Sequence, residues 1–327
     1  MNKKCLGIFR SESGKVVRKR IFMLLSTIFF ISLISFFLIF HSPGEMARLI
    51  FMEKAHTHYA TDADVAAFAK EHGLNVSAVE MYFRWVRHIC RGDLGNSLIT
   101  GESVLLLIHR ALPKTLGLTF IAFVFQLLFG FGFGFYGAYR PRGFADKISE
   151  YWGILSLSLP PYWLALLLLW FCTVCLKWTF VLGYHGFVSL WVPGFLLGVL
   201  GAGGMMRLMK SKTSLILKEG YIEYAVACGI SKHHLLFGHV FKNALPSVLA
   251  YLTQSFIGLL GGSVLIEKIF SIPGIGLLAF RALEVKDIFL LSGIILYLAI
   301  FASIVNLLSD CWCMKLDRRS ENALYQR

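Results

Sequence analysis

Gly132, Gly134 and Gly137 spell G-x-G-x-x-G, the spacing that in a dinucleotide-binding fold wraps a pyrophosphate at a helix N-terminus. Here the glycines lie inside an apolar run closed by Arg140, with no strand-helix-strand pattern around them, so phosphate chemistry is rejected. Gly130 and Gly134 also read as G-x-x-x-G, small residues that let two helices approach closely. Cys172 and Cys175 form C-x-x-C, and Cys311 and Cys313 close another apolar run. Redox or zinc chemistry needs polar partners that neither pair has, which leaves buried thiols. His56 with His58, and His233, His234 and His239, lack the defined spacing of a metal centre, so no metal site is expected. No G-x-x-x-x-G-K-[ST], H-E-x-x-H or G-x-S-x-G occurs, which argues against ATP hydrolysis by a phosphate loop, zincin chemistry and serine-hydrolase chemistry.

The elements that must position these residues are membrane helices. Of 327 residues 57% are hydrophobic and 16% charged, the mean hydropathy is +0.67, and the apolar residues gather into runs long enough for a bilayer core of about 30 Å, which takes roughly 20 residues per helix. The expected class is an all-α polytopic membrane protein. A net charge of +13 then reports topology rather than nucleic-acid binding.

Six spans are expected. Residues 1-20 carry seven Lys/Arg and form a basic inner N-terminus, and 21-40 is the first span, too long for a signal peptide. Residues 41-114 are a small helical external insertion, in which Thr61 with Asp64 and Ser77 with Glu80 open two soluble-type helices. Residues 115-314 hold the other five spans: 116-139, 151-176, 187-206, 248-266 and 288-314. Pro160 and Pro161 break the third, which a bilayer tolerates only where protein or a wet cavity satisfies the freed carbonyls. The tail 315-327 is inner. Lys and Arg favour the assigned inner segments by twenty to twelve, and eight of the twelve lie in the long insertion. Asp146, Glu150, Glu267, Asp287 and Asp310 fall at or beyond membrane edges, which lowers the reading of an ion-coupled carrier. Gln126, Gln254 and Asn306 are expected to bond between helices.

One long polar interlude remains, the inner loop 207-247, whose working part runs from Lys218 to Pro246. Gly220 to Cys228 suits a short helix with small residues, Gly229 breaks it, and Ser231 caps a second helix that Pro246 ends. In that second helix Leu236, Phe237, Val240, Phe241 and Ala244 fall within about 140° of one another, opposite Lys232, His239, Lys242 and Asn243. The residues alone leave two readings open: a knob that docks into a partner's groove, or a helix lying on the membrane surface.

At these residues the chain resembles the inner-membrane permease subunits of binding-protein-dependent ABC importers, in particular the oligopeptide/dipeptide/nickel permease family. Glu223-Tyr224-Ala225 followed by Gly229 resembles the superfamily's E-A-A-x-x-x-G loop, with His239, Asn243-Ala244-Leu245 and Pro246 after it. Pro43-Gly44-Glu45, Arg91 to Ser97, Leu112-Pro113 with Thr115-Leu116, Ser158 to Trp163, and Gly261-Gly262 through Glu267, Phe270, Pro273-Gly274 and Gly276 resemble further family segments. Val226 and Cys228 stand where the family usually has basic residues, and Asn-Ala-Leu-Pro is one residue tighter than the common pattern.

The resemblance implies a type I ABC importer permease fold and a non-catalytic subunit of an ATP-driven importer of peptides, or alternatively of nickel or a metal chelate. It implies a second homologous permease, two ATPase subunits that hold ATP and Mg, and an external substrate-binding protein, in a bacterial cytoplasmic membrane with both termini cytoplasmic. No cofactor is expected on this chain. The implied ATPase-coupling residues are Tyr221, Glu223, Tyr224, Ala225, Gly229, Ser231, His239, Asn243 and Pro246. Ser156, Ser158, Pro160, Pro161 and Tyr162, at the proline break, are the candidate translocation-pathway residues. The alternative class is a secondary carrier or channel working without ATPases.

Overall fold

Among the described residues of the computed structural model, 3-42, 44-231 and 234-316, the backbone is helical apart from short connections and one isolated antiparallel bridge between Asn96 and Ser103. Pro43, Lys232, His233 and the tail 317-327 lie outside the described residues. Among the described residues, five helices carry segments long and apolar enough to cross a membrane: Phe22–Phe40, Val104–Tyr139, Phe187–Ile216, Ser247–Phe270 and Ile288–Asp310. The expected third span is broken at Pro160 and Pro161, as its sequence suggested, into two arms, Phe144–Ser158 and Pro161–Cys175, bent by 97°. Leu159 (ψ 127°) and Pro160 (ψ 124°) are extended because each precedes a proline, and Pro161 then opens the second arm at a position that needs no N–H.

The chain divides into two compact units. The first comprises residues 1-110 and 278-307. It holds α1 (Lys3–Phe40), α2 (Met46–Lys54), α3 (Asp62–Glu71), α4 (Ala78–Ile89) and the start of α5 (Val104–Tyr139). Thr61 and Asp64 form a complete capping box at α3. At α4 only half forms: Ser77 Oγ accepts from Glu80 N at 3.3 Å, whereas the Glu80 carboxylate pairs one turn on with Arg84 at 2.6 Å. The stripe Ala78, Met81, Tyr82 and Trp85 is buried. Phe36 of α1, fully buried, stacks on Trp85 at 5.5 Å and meets Tyr82 edge-on at 5.4 Å, contacts worth about 0.5–1.5 kcal/mol each beyond burial.

The second unit comprises residues 111-277 and 308-327. It is built on α5, α6 (Phe144–Ser158), α7 (Pro161–Trp170, continued by a π-helical turn at Phe171–Cys175), α8 (Trp191–Ile216), α9 (Gly220–Ala227) and α10 (Lys242–Phe270). Between α9 and α10, Leu235–Phe241 is π-helical. The chain then continues through α11 (Ile275–Glu284) and α12 (Ile288–Leu316). The seam between α5 and α8 is the one that G-x-x-x-G suggested. A Cβ on Gly130 would lie 2.5 Å from Met205 Cγ, and one on Gly134 would lie 2.7 Å from the Met206 carbonyl oxygen and from Met209 Cβ. Gly132, by contrast, faces open space.

Candidate functional site

The polar interlude folds into two short helical pieces joined by a glycine. α9 buries Ile222 and Ala225 and leaves Tyr221, Glu223, Tyr224 and Val226 exposed, Tyr224 at 73%. It ends at Gly229 in the left-handed region (φ +78°). Gly229 N donates to Val226 O at 3.0 Å and Ile230 N to Ala225 O at 3.2 Å, the paired bonds of a Schellman cap. The glycine is therefore required by backbone conformation rather than by space, since a Cβ there would meet nothing within 4 Å.

Ser231 Oγ accepts from His234 N at 3.4 Å, and its carbonyl accepts from Leu235 N at 2.9 Å, so it opens the next piece. That piece is wider than the α-helix expected. In its π-helical turns Leu235 joins Leu236 and Val240 among the buried residues, and Phe237 is 43% exposed rather than fully turned inward. The helix is also not ended at residue 246: α10 runs without a break through it to Phe270.

Contacts within the segment and to α5 hold it in place. Asn243 Nδ2 donates to Tyr221 Oη at 2.9 Å, joining the start of α10 to α9. Phe241 sits edge-on to Phe131 of α5 at 5.2 Å, and Phe237 meets Phe135 at 5.7 Å. The His239 and His234 rings are 5.7 Å apart. Phe135, Met205, Met209, Ile222, Val240 and Ala244 belong to one buried cluster, so the segment rests on α5 and α8. Nearby, Lys210 of α8 pairs with Asp146 at 2.6 Å and Glu150 at 3.6 Å, both on α6.

At the proline break the candidate pathway residues part company. Ser156 is buried between α6 and α8, its hydroxyl occupying the space that a Cβ on Gly203 would need. Ser158 Oγ donates to Ile154 O of its own helix at 3.1 Å. Pro160, Pro161 and Tyr162 are exposed.

Two acids assigned by sequence to membrane edges are fully buried. Glu267, near the end of α10, accepts from Thr115 Oγ at 2.7 Å, Ser263 Oγ at 3.3 Å and Leu277 N at 3.0 Å. Asp287, just before α12, accepts from Ser97 Oγ at 2.6 Å, Leu98 N at 2.9 Å and Leu290 N at 3.1 Å. Burial pushes the Asp287 carboxyl above the usual carboxylate range, with the hydrogen bonds pulling the other way. Beside it, Lys286 Nζ donates to the carbonyls of Ser42 and Gly44. Only the nearby glycines hinted at the first acid: a Cβ on Gly274 or Gly276 would lie 2.5 or 2.9 Å from the Glu267 carboxyl. Gln126 Nε2 bonds Ser255 Oγ at 2.5 Å, an inter-helix contact of the kind expected of it.

The family model described as "Binding-protein-dependent transport system inner membrane component" matches residues 130–322. A probable peptide ABC transporter permease of Sinorhizobium fredii is 27% identical over 314 residues, 94% of this chain and 99% of that one. A putative peptide transport system permease of Brucella abortus is 29% identical, covering 90% of this chain and 95% of its own. A glutathione transport system permease of Salmonella paratyphi A is 28% identical over 90% and 94% respectively. Among solved structures, the methionine ABC transporter MetNI in an inward-facing conformation aligns with a TM-score of 0.54 at 19% identity, covering 65% of this chain and 97% of that one.

Proposed function

The chain belongs to the family of inner-membrane components of binding-protein-dependent transport systems, and on that footing we propose that it carries peptides inward as one permease of an ATP-driven importer. ATP and Mg belong to two ATPase subunits, a second permease completes the pathway, and an external binding protein delivers the peptide. The relatives named as peptide and glutathione permeases support this cargo.

The single observation that carries the mechanism is the construction of residues 220-246. α9 presents Tyr221, Glu223, Tyr224 and Val226 outward, while Ile222 and Ala225 behind them pack into the cluster shared with α5 and α8. A partner that grips the outer face moves a piece seated on the spans, and a ligand shifts a two-state equilibrium only by contacts that differ between the states. Tyr221, Glu223, Tyr224 and Ala225 form the docking helix, Gly229 and Ser231 the corner, and His239, Asn243 and Pro246 the return into α10. Ser158, Pro160, Pro161 and Tyr162 line the pathway at the bend, backed by Ser156. In this reading the N-terminus (1-20), loop 207-247 and tail (315-327) are cytoplasmic, 41-114 is external, 21-40 is the first span and 115-314 is the permease core.

Proteoliposomes holding both permeases and the ATPases, supplied with binding protein and labelled peptide, test the proposal. ATP-dependent uptake that falls at least tenfold in Tyr224→Ala, with equal incorporation of the chain, is expected. Uptake independent of ATP, or unchanged in that variant, would overturn it.

A further inference from the structure

Within the first unit a cavity of about 370 Å³ lies between the end of α3, one face of α4, the loop after α4 and the start of α12. Its floor is apolar: Met81, Trp85 and Leu98 are buried and Phe289 half-buried. Its walls carry Arg84 and Asp93, with His72 and His88 beside them. An apolar floor with a few convergent charged groups, in a volume of this order, is the usual form of a small-molecule site.

The loop that makes one wall is fixed from behind. Asp287 holds Ser97 and Leu98 as described above, Asp93 Oδ1 accepts from Gly95 N at 2.9 Å, and Trp85 Nε1 donates to Leu94 O at 3.4 Å. The site is thus formed before a ligand arrives. Its charged groups, in contrast, have replaceable partners. Arg84 pairs with Glu80 and Asp93 with His88 at 3.5 Å, and all four side chains are more than half exposed. Exposed pairs of this kind contribute only about 0–1 kcal/mol. Arg84 also has further donors on its guanidinium for a second carboxylate.

One cation and one anion above an aromatic floor match a ligand with both charges and an apolar body. We propose that this cavity binds a short zwitterionic peptide, with its carboxylate on Arg84, its ammonium group on Asp93 and an apolar side chain over Trp85 and Met81. The choice of peptide rests on the peptide-import reading, whereas the charge pattern and floor stand without it.

The test uses the full chain in lipid nanodiscs and titrates the dipeptide Ala-Phe calorimetrically against its C-terminal amide and its N-acetyl form. Saturable binding of Ala-Phe is expected, weakened at least tenfold by either block. Arg84→Gln and Asp93→Asn should each weaken Ala-Phe at least tenfold, and each should abolish sensitivity to the block at its own end of the peptide. Both exchange exposed groups, and the amide oxygen of Asp93→Asn can still accept from Gly95 N, so melting should change little. Absence of saturable binding to the folded chain, or binding within twofold of wild type in both variants, would overturn the proposal. Uptake by the assembled importer separates the two readings: ATP-driven peptide uptake without cavity binding sinks the cavity alone, and cavity binding without peptide uptake sinks the import reading alone.

Discussion

The Thr115 hydroxyl donates to Glu267 at 2.7 Å while accepting from Ile275 N at 2.7 Å. One hydroxyl thus joins a buried carboxylate to the first turn of α11, and Leu277 N reaches the other carboxylate oxygen. A carboxylate at the N-terminus of a helix accepts its orphan N–H groups and opposes its dipole. Thr115→Val keeps the shape and removes both bonds. A buried group left unpartnered costs about 1–3 kcal/mol, so denaturant unfolding in detergent should show a loss of about that size or more, and Thr115→Ser should recover most of it.

The G-x-G-x-x-G run supplies its own internal control. Gly134→Ala should destabilise by about 1–3 kcal/mol, because the new methyl meets the backbone of Met206. Gly132→Ala meets nothing and should be neutral or stabilising by up to about 1 kcal/mol. Thermal melts of the two variants side by side check the contrast; equal losses would refute the packing account.

At Gly229 the cost is conformational. Gly229→Ala should lower stability by only about 1–2 kcal/mol, the penalty of a left-handed residue with a Cβ, and Gly229→Asn by less. Under the docking proposal the same variants lower peptide-stimulated ATP hydrolysis in the assembled importer. A melt and an ATPase assay on the same preparation separate the two effects.

Phe241 and Phe131 form one of the two ring contacts between the polar interlude and α5. Phe241→Ala removes a ring pair worth about 0.5–1.5 kcal/mol beyond burial. Peptide imported per ATP hydrolysed should fall several-fold while the ATPases still bind. An unchanged ratio would remove this contact from the coupling route.

Much of this organisation was legible in the residues. The apolar runs located the spans, Thr61 and Asp64 located α3, and the i, i+3, i+4, i+7 spacing of Ala78, Met81, Tyr82 and Trp85 accounts for how α4 is buried. Where local rules competed, the pattern was less informative. Ser77-x-x-Glu80 reads as a reciprocal box, yet Arg84 one turn later draws off the Glu80 carboxylate. The apolar face of 235-241 followed a period of 3.6, which a π-helical turn does not keep. Glu267 and Asp287 lie at span ends as expected, but their burial was not legible, because their partners, Thr115 and Ser97, lie 152 and 190 positions away. No local spacing announces such a bond.

The bend at Pro160 and Pro161 has a consequence for the rest of the chain. Hydropathy adds lengths and ignores direction, so it counts residues 151-176 as one crossing. At about 1.5 Å per residue, neither arm, Phe144–Ser158 or Pro161–Cys175, reaches across a core of about 30 Å. Under the proposed six-span reading the pair together makes one crossing, and the backbone at two prolines then sets on which face of the membrane Tyr221 and Tyr224 emerge.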